Sequence, residues 1–188
     1  GDYVYFNNSR PNSEGAGAKC ENWQILSPIH ATGAGVTELN RSIHRHFRAD
    51  LIETAQAFVK YGRKVPKPMG PEGIVYGDKV MNNRNHRHKD VYPEEFAEGS
   101  PFTGPAEFVA NGEIGMVVGQ FKRRGQKFKV TRLKVEFSTQ LGAEYGYGAR
   151  YLPKDGGDPI LELAYAITVH KSQGSEFGTT FLIVPNPC

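Results

Sequence analysis

Cysteine is scarce in this 188-residue chain: Cys20 and Cys188 are the only two. Two thiols near opposite ends make neither a disulfide framework nor a metal-binding spacing, and they favour a reducing, cytoplasmic (intracellular) setting. Long apolar runs are missing as well. None approaches the roughly 20 residues that a membrane span needs, so no membrane is expected among the partners. Residues 1–6 carry no basic n-region and no signal-like apolar stretch. Charge of one sign is nearly absent overall: 23 Lys and Arg against 20 Asp and Glu leave +3, too little to imply a partner. There is no initiator Met, and the last residues follow directly on the apolar run 181–184. These two features predict a piece excised from a longer protein.

What is present points to a soluble globular fold. Hydrophobic residues are 38% and charged residues 23%, and the chain is long enough to bury a core without disulfides or metal. With 22 Gly and 12 Pro, turns and short strands are expected rather than a helical bundle. The small net charge hides local basic blocks. Residues 121–134 hold seven cations and no acid, and residues 41–48 hold three Arg and two His. Residues 84–89 interleave Arg and Lys with His86 and His88. Such blocks suit a polyanion, and they equally suit a solvated basic face. No Cys or acid stands at ligand spacing from His86 and His88, so no metal is expected.

Along the chain, residues 9–19 read as a linker and 23–26 as a buried strand ending at Ser27-Pro28. A Gly-bearing loop, 30–35, follows. Leu39, Ile43, Phe47 and Leu51 recur every four residues, which predicts a helix over 37–48 with Thr37 as its N-cap, and the pattern allows a continuation through Ile52, Phe58 and Tyr61. Prolines and glycines in 64–73 end it. A short strand is expected within 74–81, and a long polar loop over 82–112 carrying one helix near 94–98. Residues 113–121 and 128–137 read as strands joined by a Gly-containing hairpin. Phe121 and Phe128 fit the core of that module and also fit base stacking, with core favoured. Gly142, Gly146 and Gly148 among Tyr145, Tyr147 and Tyr151 suggest a turn and an edge strand. After the break at 155–159, residues 160–169 are apolar and 180–184 read as a second buried strand. The layout is a strand–helix half, a β insertion and a return to α/β, with a parallel sheet expected.

The most informative stretch is residues 164–177, AYAITVHKSQGSEF. Apolar residues precede a polar cluster of Thr168, His170, Lys171, Ser172, Gln173, Gly174 and Glu176. The hydroxyls, ammonium and backbone N–H groups can grip phosphates, with Gly174 allowing close approach or a left-handed turn. The plainer reading is a helix C-cap at Gly174 among solvated polar residues. This stretch closely resembles motif V of superfamily 1 DNA helicases of the RecD-like group (exodeoxyribonuclease V alpha subunit, UvrD-like helicase C-terminal domain). Residues 24–40, QILSPIHATGAGVTELN, resemble the motif IV region. Residues 77–81, GDKVM, and 111–118, NGEIGMVV, resemble two markers of the SH3-like subdomain inserted between the motifs.

The resemblance implies an α/β fold. It would be a RecA-like (P-loop NTPase-like) second motor domain, discontinuous, with an inserted small SH3-like β-barrel subdomain. Its parts would be a linker or edge segment at 1–21, RecA-like pieces at 22–73 and 159–188, and the insertion at 74–158. Thr168, His170, Lys171 and Ser172 match the positions facing single-stranded DNA, and Lys122, Arg123 and Arg124 would add phosphate contacts. Gln173, Gly174 and Glu176 match the nucleotide-facing side. In the motif IV loop the family's usual basic residue is replaced, which leaves His30 as the only candidate there. Implied partners are single-stranded DNA, an N-terminal RecA-like motor domain of the same chain and other helicase–nuclease subunits. ATP and Mg2+ would serve the full-length parent, which would translocate 5′ to 3′. This chain has no GxxxxGK[ST] loop, no acidic pair for magnesium and no motif VI arginine. Hydrolysis needs all three together, so the piece alone is expected to be inactive, with no catalytic residue. Two other readings stay open: a stand-alone nucleic-acid or protein interaction module derived from a helicase, and the helicase segment of a relaxase or conjugation protein.

Overall fold

A computed structural model describes residues 15–31, 35–56, 67–92, 108–122, 130–153 and 156–184. Among them are one α-helix and eleven strands, so the described part is mostly β. The expected helix near 94–98, Phe58, Tyr61, Phe128 and Cys188 lie outside the described residues. No helix among the described residues is long and apolar enough to cross a membrane.

Three short strands form a parallel sheet. β1 (Trp23–Ser27) lies between β10 (Ala166–Thr168) and β11 (Thr179–Leu182), in the order β10-β1-β11. Register pairs Ser27 with Thr168 and Ile25 with both Ala166 and Phe181. The side chain of Gln24, fully buried in β1, donates to the carbonyls of Ala164 and Tyr165 at 3.1 Å each. That satisfies two carbonyls where the chain enters β10, as buried polar groups require. β11 was expected to be buried, but it is exposed along its length, with Leu182 59% accessible. Among the described residues it is an edge strand paired only to β1, and neither face of it is covered.

Helix α1 spans Val36–Gln56, starting one residue before the expected 37–48 and running on past it through Ile52, where the pattern allowed a continuation. Thr37 is therefore inside the first turn and is not the cap. Backbone carbonyls do the capping: Val36 N–H donates to Ile29 (3.0 Å) and Thr37 N–H to His30 (3.2 Å). The apolar stripe is also corrected. Phe47 is 65% exposed, and the buried residues are Val36, Asn40, His44 and Ala55. The helix seats a partly polar stripe because Asn40 finds hydrogen-bond partners at the sheets and His44 lies beside Asp78, with Nε2 3.0 Å from its carboxylate. Asn40 Nδ2 donates to the carbonyls of Leu163 (3.0 Å) and Ala166 (2.9 Å), and Asn40 Oδ1 accepts from Ala166 N–H (2.8 Å).

The second unit is a six-stranded antiparallel sheet. Its strands are β2 (Lys79–Asn82), β4 (Val91–Tyr92), β6 (Ile114–Lys122), β7 (Val130–Phe137), β8 (Glu144–Gly148) and β9 (Leu161–Leu163). The order is β4-β8-β7-β6-β2-β9. No ladder joins β4 to β9 among the described residues, so the pairing is that of an open sheet. The segment read as a long loop carries β4 and a separate two-stranded piece, β3 (His86–Arg87) with β5 (Phe108–Val109). Ile74, Val117, Leu133, Val135, Phe137, Tyr145 and Tyr147 form its core. Phe121, favoured as core, is 52% exposed. A bulge between Val117 and Gly119 shifts the alternation, so Phe121 pairs with Arg132 on the outer face. His88 is buried against Tyr145 and Tyr147, at 5.4 and 4.6 Å between ring centroids. It belongs to this core, not to a solvated basic block.

β9 pairs with β2 in the antiparallel sheet, and the chain returns to the parallel sheet only at β10. A small second core of Cys20, Met81, Ile114, Ala164 and Ile167 joins the two sheets. Burial pushes the Cys20 thiol up to about 12, so it packs as an inert apolar group.

Candidate functional site

β1 and β10 are adjacent parallel strands, and the loops after both leave from the same end of the sheet. In open α/β sheets ligands bind at the carboxyl ends of the strands. His30 lies in the loop after β1, and residues 169–178 form the loop after β10. That second loop begins as one tight turn. Ser172 N–H donates to Thr168 O (3.2 Å), Gln173 N–H to His170 O (3.3 Å) and Ser175 N–H to Ser172 O (3.1 Å). Thr168 Oγ1 accepts from Lys171 N–H (3.2 Å), and Ser172 Oγ donates to Val169 O (2.8 Å). The two hydroxyls thus shape the turn.

Gly174 ends the turn at φ 84°, the left-handed region that an L side chain resists. A Cβ there would meet nothing within 4 Å, so the glycine is needed for its conformation and the space beside it is open. Its N–H has no protein acceptor among the described residues. Both sequence readings of Gly174 require this backbone.

His30, Thr168 and Lys171 come together on a cavity of about 110 Å3, shared with Asn40, Glu72 and Glu162. Lys171 Nζ donates to Glu162 Oε1 in a close ion pair and to Asn83 Oδ1 at 3.0 Å. The pair is half open to solvent, with side chains 38% and 26% exposed. Glu72 Oε2 accepts from Leu163 N–H at 2.6 Å, and burial pushes the Glu72 carboxyl up. The interior therefore sets two carboxylates against one ammonium and is no anion hole. The surface open to an anion is the outer side of the turn, where His170, Lys171, Gln173 and Gly174 are exposed.

The remaining predicted residues are not gathered there. Glu176 is exposed beyond the turn and Ser172 is half-buried within it. Lys122 ends β6, and its side chain lies outside the described residues together with Arg123 and Arg124. The two acids on the cavity are already engaged. Glu162 and Glu72 are committed to Lys171 and Leu163 N–H, and no group of three or more His, Cys, Asp or Glu converges among the described residues.

Sequence reasoning missed the centre of the joint between the units. Asp78, fully buried, accepts from Val75 N–H (2.7 Å), the Tyr165 hydroxyl (2.7 Å) and Arg48 Nε (3.1 Å), with His44 Nε2 at 3.0 Å. Arg48 Nη2 also donates to the Gly77 carbonyl. Gly77, at φ 81°, leaves room for that guanidinium, which a Cβ would meet at 3.1 Å. The only sequence signal was the Gly-Asp pair entering β2. No known protein-family model matches the chain, and no curated protein matches it.

Proposed function

We propose that this chain is the C-terminal motor region of an ATP-dependent DNA helicase, with a RecA-like fold around the parallel sheet and an SH3-like insertion. Its parent couples ATP hydrolysis to movement along single-stranded DNA and unwinding. One observation carries the reading: the residues resembling motif V form the turn that follows β10, beside the motif IV-like loop after β1. Thr168, His170, Lys171 and Ser172 take the DNA side of that turn, and Gln173, Gly174 and Glu176 the side toward a nucleotide held by a partner motor domain. No hydrolytic step is assigned to this chain, whose sequence carries no phosphate loop, acidic pair or motif VI arginine.

In this reading a backbone phosphate draws the Lys171 ammonium away from Glu162. The test is binding of labelled oligothymidylate, followed by anisotropy across a salt series. Affinity falls as salt rises, and losing one phosphate contact lowers the log–log slope by about 0.7 for a single strand. Lys171→Ala therefore weakens binding and flattens the slope, His170→Ala weakens binding, and in the parent both depress unwinding. Salt-independent binding, or variants indistinguishable from the native chain, would sink the reading.

A further inference from the structure

A second and larger concavity, about 500 Å3, lies among the turn at 16–20, the start of β1, helix α1 and β2. It is at the amino end of β1, so it is distinct from the turn after β10. Its volume is within the range of small-molecule sites. Trp23, Phe47, Met116 and Tyr165 give it an apolar, aromatic wall. The Trp23 ring stacks on Tyr165, 6.5 Å between centroids and 13° from parallel. The charged residues on the wall are Lys19, Arg48 and Lys79, all cations.

Lys79 is the unusual group. It is only 2% exposed, and no carboxylate stands within ion-pair distance of it among the described residues. Its Nζ donates to the Trp23 carbonyl at 2.6 Å and sits 4.6 Å from the Trp23 ring centroid. The Glu21 carboxylate acts on it only from beyond ion-pair distance, and one carbonyl and one ring face do not neutralise a buried ammonium, whose charge is costly without a counter-ion in contact. Burial pushes Lys79 down to about 8, which leaves it cationic at neutral pH. An anion in the groove would supply the missing counter-charge, and the aromatic wall would take the ring that carries it.

We propose that this groove binds a small planar aromatic anion, such as an aromatic carboxylate, with the ring against Trp23 and Phe47 and the anionic group on Lys79.

Trp23 is the only tryptophan in the chain, so its emission reports on the groove alone. The probe is anilinonaphthalene sulfonate, read by energy transfer from Trp23 and by calorimetric stoichiometry. The expected result is one saturable site that 2-naphthoate displaces and the neutral 2-naphthalenemethanol displaces about tenfold less well, the preference an ionic hydrogen bond confers. Lys79→Met abolishes that preference and leaves the neutral compound's affinity unchanged. Phe47→Ala alters an exposed ring, so it leaves folding intact and weakens both compounds. It keeps the test decisive if Lys79→Met fails to fold. Absence of transfer from Trp23, equal displacement by the two naphthalenes, no effect of Phe47→Ala, or displacement by oligothymidylate would each overturn the proposal.

Discussion

Replacing Asp78 by Ala should loosen the joint between helix α1 and the antiparallel sheet more than any surface change. The carboxylate is fully buried and accepts from Val75 N–H, the Tyr165 hydroxyl and Arg48. Removing it orphans those donors together. Breaking a buried pair by deleting one partner costs about 3–5 kcal/mol, and each orphaned neutral donor adds about 1 kcal/mol or more where water cannot reach it. Arg48 is 27% exposed along its side chain, so part of its loss is made good by hydration and the broken pair contributes about 3 kcal/mol; with the two neutral donors the expected cost is about 5 kcal/mol. For a chain of this size that lowers Tm by roughly 10–20 °C. Asp78→Asn keeps one acceptor oxygen and should cost about half as much. The assay is urea unfolding followed by Trp23 emission and by circular dichroism, with an Arg48→Ala double-mutant cycle. The two losses should be non-additive, because Arg48 binds Asp78 directly. A cost below about 1 kcal/mol for Asp78→Ala, or simple additivity with Arg48→Ala, would refute the reasoning.

Three further outcomes follow from the same geometry. Asn40→Ala removes three hydrogen bonds to Leu163 and Ala166 and should cost about 2–4 kcal/mol in urea unfolding; Asn40→Leu should be no better, since the backbone groups stay orphaned. Glu162→Gln frees Lys171 from its ion pair and should raise oligothymidylate affinity by up to about fivefold, the worth of a half-exposed pair. Burial pushes His88 down to about 4, so between that value and about 6.5 the unfolded chain binds more protons than the folded one. Stability contributed by neutral His88 is therefore full above about pH 6.5 and falls by about 3 kcal/mol as pH drops to about 4. His88→Phe should flatten that limb of a pH–stability profile; a profile of unchanged steepness would count against the burial argument.

Much of the local structure was legible from the residues. Alternation and β-rich composition located β6 and β7, and the four-residue spacing located α1 (Val36–Gln56), as the pairing and the helix bounds record. Gly174 was legible as a turn because only a glycine takes a left-handed backbone without strain. The sites were harder. Lys171 was singled out for its chemistry, but its ion pair with Glu162 across the return into β10 depends on how β9 and β10 diverge. Phe121 was misplaced because a bulge changes the alternation without any mark in composition.

What the sequence determined by itself is the set of short-range choices: which stretches extend, which coil, and where a glycine must turn the chain. Those depend on backbone sterics and neighbouring side chains, and both are written locally. Which face of α1 is buried was decided only by the tertiary structure. Hydrophobicity favours Phe47 over Asn40 and His44, yet the polar pair is inside because partners distant in sequence are there to receive it: Leu163 and Ala166 bond the Asn40 amide, and the Asp78 carboxylate lies 3.0 Å from His44 Nε2. The same holds for Lys79, which composition reads as surface charge and packing places beneath Trp23. The free energy of a buried polar group depends on what surrounds it, and those surroundings exist only once the sheets have come together.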